Sequence, residues 1–146
     1  MTAEHILQEV LNDKEQMIAD RRFLHTHAET GFDITETKSY VIQQLEQMGY
    51  EPTPCGKAGV IAIAGDKKAG KVFLLRADMD ALPVQEETEL DYASQNGRMH
   101  ACGHDMHTTM LLEAARILKA HENELEGSIK FMFQPAEELL EGANDM

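Results

Sequence analysis

Three short β-rich runs constrain this chain most: Val60-Ile-Ala-Ile-Ala64, Val72-Phe-Leu-Leu75 and Ser128-Ile-Lys-Phe-Met-Phe133. Helical stretches surround them. Residues 107 to 121 carry Met110, Leu111, Ala114, Ala115 and Leu118 as one apolar stripe, the spacing of a helix packed on a core. Residues 3 to 25 read as a helix that Thr2 can cap. Residues 36 to 48 read as another, with Tyr40, Val41, Leu45 and Met48 on its apolar face and Gly49 at the C-terminal glycine position. Residues 26 to 34 read as a loop turning at Gly31, Pro52 to Gly56 as a breaker, and 85 to 99 as polar and irregular. Asp66 to Gly70 read as a turn, which predicts a hairpin between the first two runs. The order of helix, strand, strand, helix and strand predicts an α/β sheet with covering helices. No closing helix is expected after Pro135.

At 146 residues with 42% apolar content, the chain suffices for one packed domain. It holds 26 acidic against 13 basic residues, a net of −13. Such a surface repels phosphate backbones, so no nucleic-acid partner is expected. Two cysteines are too few for a disulfide framework. The N-terminus lacks a basic start followed by an apolar run, and no stretch is apolar enough to span a bilayer. A cytoplasmic protein with no membrane partner is the expectation.

The densest chemistry lies in Met99-His-Ala-Cys-Gly-His-Asp-Met-His107. A thiolate and an imidazole suit zinc-like ions. Cys102 and His104, two apart, can point the same way on an extended turn that Gly103 permits. His104 and His107 become neighbours if both are helical. The plain alternative is a His-rich helix start beside an inert cysteine. Glu137-Glu138 follow the last β-rich run, where α/β sites form at strand ends. Adjacent side chains diverge, so one carboxylate can hold a metal while the other moves a proton. Read alone, such a pair is usually solvated surface. Asp78 and Asp80 lie beyond another strand end, either as orienting partners of an imidazole or as a surface turn. His25 and His27 permit a two-histidine site by spacing, and a structural role is favoured.

Four strings occur in order: Leu24-His-Thr-His-Ala-Glu-Thr-Gly31, Arg76-Ala-Asp-Met-Asp-Ala-Leu-Pro83, His100-Ala-Cys-Gly-His-Asp-Met-His107 and Phe133-Gln-Pro-Ala-Glu-Glu138. From about residue 15 onward the chain resembles the M20 metallopeptidase family. It is most similar to the branch of hippurate hydrolases, N-acetyldiaminopimelate deacetylases and auxin-conjugate hydrolases. The resemblance implies an α/β fold: part of a zinc-exopeptidase-like catalytic domain, a mixed sheet with flanking helices. Residues 1–146 would form its N-terminal part, with the lid or dimerisation domain and the C-terminal part of the catalytic domain absent. It implies Cys102, His104 and Glu138 as metal ligands, Glu137 as general base and Asp80 as the acid that orients the site. Asp78 stands where other branches place a metal-binding His and is not assigned as a ligand. His100, Asp105 and His107 match the motif without assigned roles. The implied cofactor is a divalent ion: Mn, Zn, Co or Ni. The implied partner is a small-molecule N-acyl amino acid, with a homodimer formed by the full-length protein.

Ala28 replaces the family's usual Pro, and Leu139-Leu140 replace glycines that commonly follow the Glu pair. The resemblance implies hydrolysis of an amide bond, with Glu137 taking a proton from water and passing it to the leaving amine. The isolated chain is expected to bind metal weakly, to have little amidase activity and to expose an apolar sheet edge. A non-catalytic metal-binding or interaction module is the competing reading. Cys102 as a redox or nucleophilic residue is a weaker third, and it predicts activity that survives chelators.

Overall fold

The computed structural model describes residues 2–66 and 70–146. The predicted turn at Asp66 to Gly70 therefore lies largely outside the described residues. In chain order the elements are α1 (Ala3–Asn12), α2 (Lys14–Thr26), α3 (Thr35–Gln47), β1 (Thr53–Cys55), β2 (Gly59–Gly65), β3 (Lys71–Asp78), α4 (His104–Ala120), a 3-10 turn Glu122–Glu124, β4 (Gly127–Gln134) and α5 (Gly142–Asp145).

The stretch read as one helix over 3 to 25 is two, parted at Asp13, whose φ of −90° and ψ of 8° leave the helical region. A single displaced residue hardly shifts the apolar phase, so the periodicity ran through the break. Thr2 caps α1 as expected, its hydroxyl accepting from His5 N at 3.3 Å. Gly49 follows α3 with φ +86°, the left-handed conformation that ends helices. α4 begins at His104, three residues before the expected start at 107.

The four strands run in the order β1-β2-β4-β3. β1 and β2 are antiparallel, as are β2 and β4, whereas β3 and β4 are parallel. The predicted hairpin of β2 with β3 is thus corrected: β4 lies between them. The cause is burial. Phe131 and Phe133 of β4 are fully buried and pair with Ala62 and Val60 on one side and Leu75 and Ala77 on the other. The strand with the two largest fully buried side chains lies between β2 and β3. β3 and β4, being parallel, need a crossover, and α4 supplies it. The breaker at 52–56 holds a short edge strand, where Pro54 costs no central ladder bond. The C-terminal end holds the four-residue α5, which the absence of an apolar stripe did not foretell.

Val41 and Leu45 of α3 and Leu112 and Ala115 of α4 join Val60, Ala62, Phe131 and Phe133 in one core cluster. Tyr50 meets Phe131 edge-on at 5.6 Å, and its hydroxyl donates to Ala115 O at 2.8 Å. β3 is different. Val72, Phe73 and Leu74 are all more than half exposed, so this edge of the sheet presents apolar side chains to solvent. No helix among the described residues is long and apolar enough to cross a membrane.

Candidate metal centre

Because β3 and β4 are parallel, their carboxyl ends meet at Asp78 and Gln134. The segments leaving them stay together. Met79 N donates to Gln134 O at 2.8 Å, Ala81 N to Glu29 O at 2.7 Å, and Ala136 N to Gly31 O at 3.0 Å. The N-terminus of α4 arrives at the same place. Gly103 precedes it at φ +80°, and a Cβ there would meet nothing within 4 Å, so the backbone conformation is what calls for glycine.

His104 is the hub. Its Nδ1 donates to the backbone carbonyl of Asp80 at 2.8 Å, which directs the Nε2 lone pair of the neutral ring into the site. Around that ring stand four carboxylates. Nε2 lies 3.6 Å from Asp78, 3.7 Å from Glu137 and 3.8 Å from Glu138, and Nδ1 lies 3.6 Å from Asp80. Arg76 offsets part of this charge through Asp78 at 2.9 Å. Burial disfavours the charged imidazole, but the Asp80 and Asp78 carboxylates outweigh it and raise the His104 pKa.

Asp80 organises the loop that carries the glutamates. Its two oxygens accept Glu137 N at 3.0 Å and Glu138 N at 3.2 Å. Burial alone would raise its pKa; the contact with His104 and these two amides lower it instead. Ala136, fully buried, holds φ +52°. A non-glycine residue there costs on the order of 1 kcal/mol, and the strain lies one residue before the Glu pair.

Among the sequence-predicted residues, His104, Glu137 and Glu138 therefore converge, with donor atoms within 4.8 Å of one another. Asp80 sits behind them. Cys102 is exposed at the rim and outside that tight trio, yet the Glu138 carboxylate borders its thiol and raises its pKa. Metal binding to that sulfur would release its proton to solvent and hold it as thiolate. A second trio joins His104 to Asp78 and to His107, which had no assigned role, and His107 Nδ1 is 2.7 Å from Asp78. The helical start at His104 brings the His104 and His107 rings together at 5.5 Å.

The donors suit a divalent ion. Four carboxylates close on one imidazole, and the Glu138 Oε1 atom is buried with no hydrogen-bond partner. A buried anionic oxygen without a donor is costly unless a cation meets it.

Sequence reasoning missed a network behind the hub. His25 is buried with Nδ1 2.8 Å from Asp105 and Nε2 2.9 Å from Glu86, while Arg21 Nε donates to Asp105 at 2.9 Å. His27 meets Phe23 O at 2.8 Å and stacks on the Phe23 ring. The two histidines thus sit in structural contacts rather than as a pair. Glu86 lies in the stretch read as irregular, and nothing local marked it. Burial works to raise its pKa, but His25, Thr88 and Ser94 N together lower it. A lowered folded-state pKa stabilises above the unfolded value, about 4.3, and the gain is lost as pH falls through the folded pKa. Glu86→Gln is therefore expected to cost about 2 kcal/mol at pH 7. In urea unfolding across pH, the gap to wild type should close only below about pH 4; a gap unchanged by acid would refute the charge's role.

Residues 74–146 match peptidase family M20/M25/M40. The chain is 44% identical over 144 residues to the N-acyl-L-amino acid amidohydrolase of Geobacillus stearothermophilus, covering 97% of this chain and 39% of that protein. It is 44% identical to the hippurate hydrolase of Campylobacter jejuni, covering 97% of this chain and 37% of that one. Among solved structures, a dinuclear metal-binding peptidase of the M20 family from Bacillus subtilis superposes with a TM-score of 0.85 at 43% identity, over 90% of this chain and 37% of that one. The chain thus spans under two fifths of the length of these relatives. Half of its residues match the family, and its fold is that of a family structure: the chain belongs to peptidase family M20/M25/M40.

Proposed function

We propose that the chain is the N-terminal part of the catalytic domain of a metal-dependent amidohydrolase that cleaves the amide bond of N-acyl amino acids. The observation that carries this reading is the hub: His104 Nε2, with Nδ1 pinned to a carbonyl, faces the Asp78, Glu137 and Glu138 carboxylates within 3.8 Å. Cys102, His104 and Glu138 would hold the ion, and the likeness to the N-acyl-L-amino acid amidohydrolase of Geobacillus stearothermophilus supports the substrate class. The ion, when bound, polarises the amide carbonyl and acidifies water. Glu137, its side chain a third exposed on the open side of the site, takes the proton from water and returns it to the leaving amine. Asp80 keeps that carboxylate in place through the Glu137 amide.

The test is an assay for release of free amino acid from N-acetyl substrates, on this chain and on a longer version extended to the relatives' length. The longer protein should hydrolyse them only with divalent metal. Glu137→Gln should cut turnover by about 100-fold or more while metal content stays unchanged. Full turnover in chelator, or in Glu137→Gln, would overturn the reading and favour Cys102 as nucleophile.

A further inference from the structure

We propose that His5, Glu9 and His121 form a separate site for Zn2+ or a similar transition-metal ion, which fastens α1 to the C-terminal end of α4. His5 and Glu9 are one turn apart on α1, and His121 is the C-terminal cap residue of α4. Their donors converge. His5 Nε2 is 3.1 Å from Glu9 Oε1, and His121 Nε2 is 2.9 and 3.0 Å from the two Glu9 oxygens. The two imidazoles meet edge-on, with centroids 5.7 Å apart, so both rings aim a nitrogen at one carboxylate.

Two ligands each about 2.0–2.2 Å from a tetrahedral ion sit roughly 3.3 Å from one another. The observed spacings need open by only a few tenths of an ångström. Two imidazoles, a carboxylate and a water complete an ordinary zinc coordination set. The second nitrogen of His121 is already held: Nδ1 lies 2.7 Å from Glu124 Oε1. A carboxylate on the far side of an imidazole fixes its tautomer and strengthens it as a ligand.

The site would serve α1. None of that helix's ten residues is buried, and Leu7 and Leu11 are more than half exposed. Little apolar burial secures α1, so a cross-link to α4 would supply much of its anchorage. The inference does not rest on the hydrolytic reading. α4 has 17 residues, so His121 lies roughly 25 Å along the helix from His104.

Hydrogen exchange of the α1 amides in untagged full chain, with added Zn2+, tests it. Opening of α1 separates His5 and Glu9 from His121, so zinc should raise α1 protection, about tenfold per tenfold of free metal above the dissociation constant. The double variant His5→Gln, His121→Gln should not respond, and His104→Ala should respond like wild type. Should the double variant fail to fold, His5→Gln alone at an exposed helical position should shift the response to at least about tenfold higher zinc. Flat α1 protection in wild type, or a response surviving loss of the His5 and His121 imidazoles, overturns the proposal. So does a response lost in His104→Ala, which would mean the effect comes from the other end of α4.

Discussion

Replacing Asp80 by Ala is expected to lower the stability of the chain by about 3–5 kcal/mol. The side chain is 1% exposed, and its carboxylate accepts both amides of the Glu137-Glu138 loop. Removing it leaves two part-buried N–H groups without their acceptor, each costing up to about 1–3 kcal/mol. It also takes from His104 one of the charges that favour the imidazolium. Asp80→Asn keeps one amide acceptor and should recover part of the loss. Urea unfolding of the three proteins measures this. An Ala variant within about 0.5 kcal/mol of wild type, the usual range for surface changes, would mean that the loop is held by other contacts.

His104→Ala should weaken Zn2+ binding at the candidate centre by more than about 100-fold. Loss of partners that merely orient a ligand already costs about 10–100-fold, and here the ligand itself goes. The ring approaches Asp78, Glu137 and Glu138 together. Competition against a chromophoric chelator measures the affinity. It is best done with His5 and His121 replaced by Gln, so that the α1 site does not contribute. Urea unfolding of the same variant separates lost affinity from lost fold.

Much of this was readable from residues. The stripe from Met110 to Leu118 marked α4, Thr2 and Gly49 marked helix ends, and the three β-rich runs became β2, β3 and β4. Pairing was not readable. Val60-Ala64 and Val72-Leu75 are neighbours in sequence with a turn between, and local signals favour joining them. The pairing is instead decided by which strand buries most, a property of the whole sheet that puts Phe131 and Phe133 in the centre. The site divides in the same way. His104, Glu137 and Glu138 were singled out by residue type and position after strands or before a helix, and they do meet. Asp78 was read either as an orienting partner of an imidazole or as a surface turn, and His107 had no role, because the early start of α4 is what puts His107 beside Asp78. Glu86 gave no signal: it lies in an irregular stretch, and its partner His25 is 61 positions away in α2. His5 and His121 are 116 positions apart, and no spacing rule joins them.

On the proposed reading, a thiolate, an imidazole and a carboxylate of this chain enclose one cation. Crystals of the zinc-loaded chain would show this in an anomalous difference map at the zinc edge. The predicted result is a peak about 2.0–2.3 Å from His104 Nε2, from a Glu138 carboxylate oxygen and from Cys102 Sγ. A chain saturated with zinc that shows no peak beside His104, or a peak there with Cys102 Sγ turned away toward solvent, would contradict it.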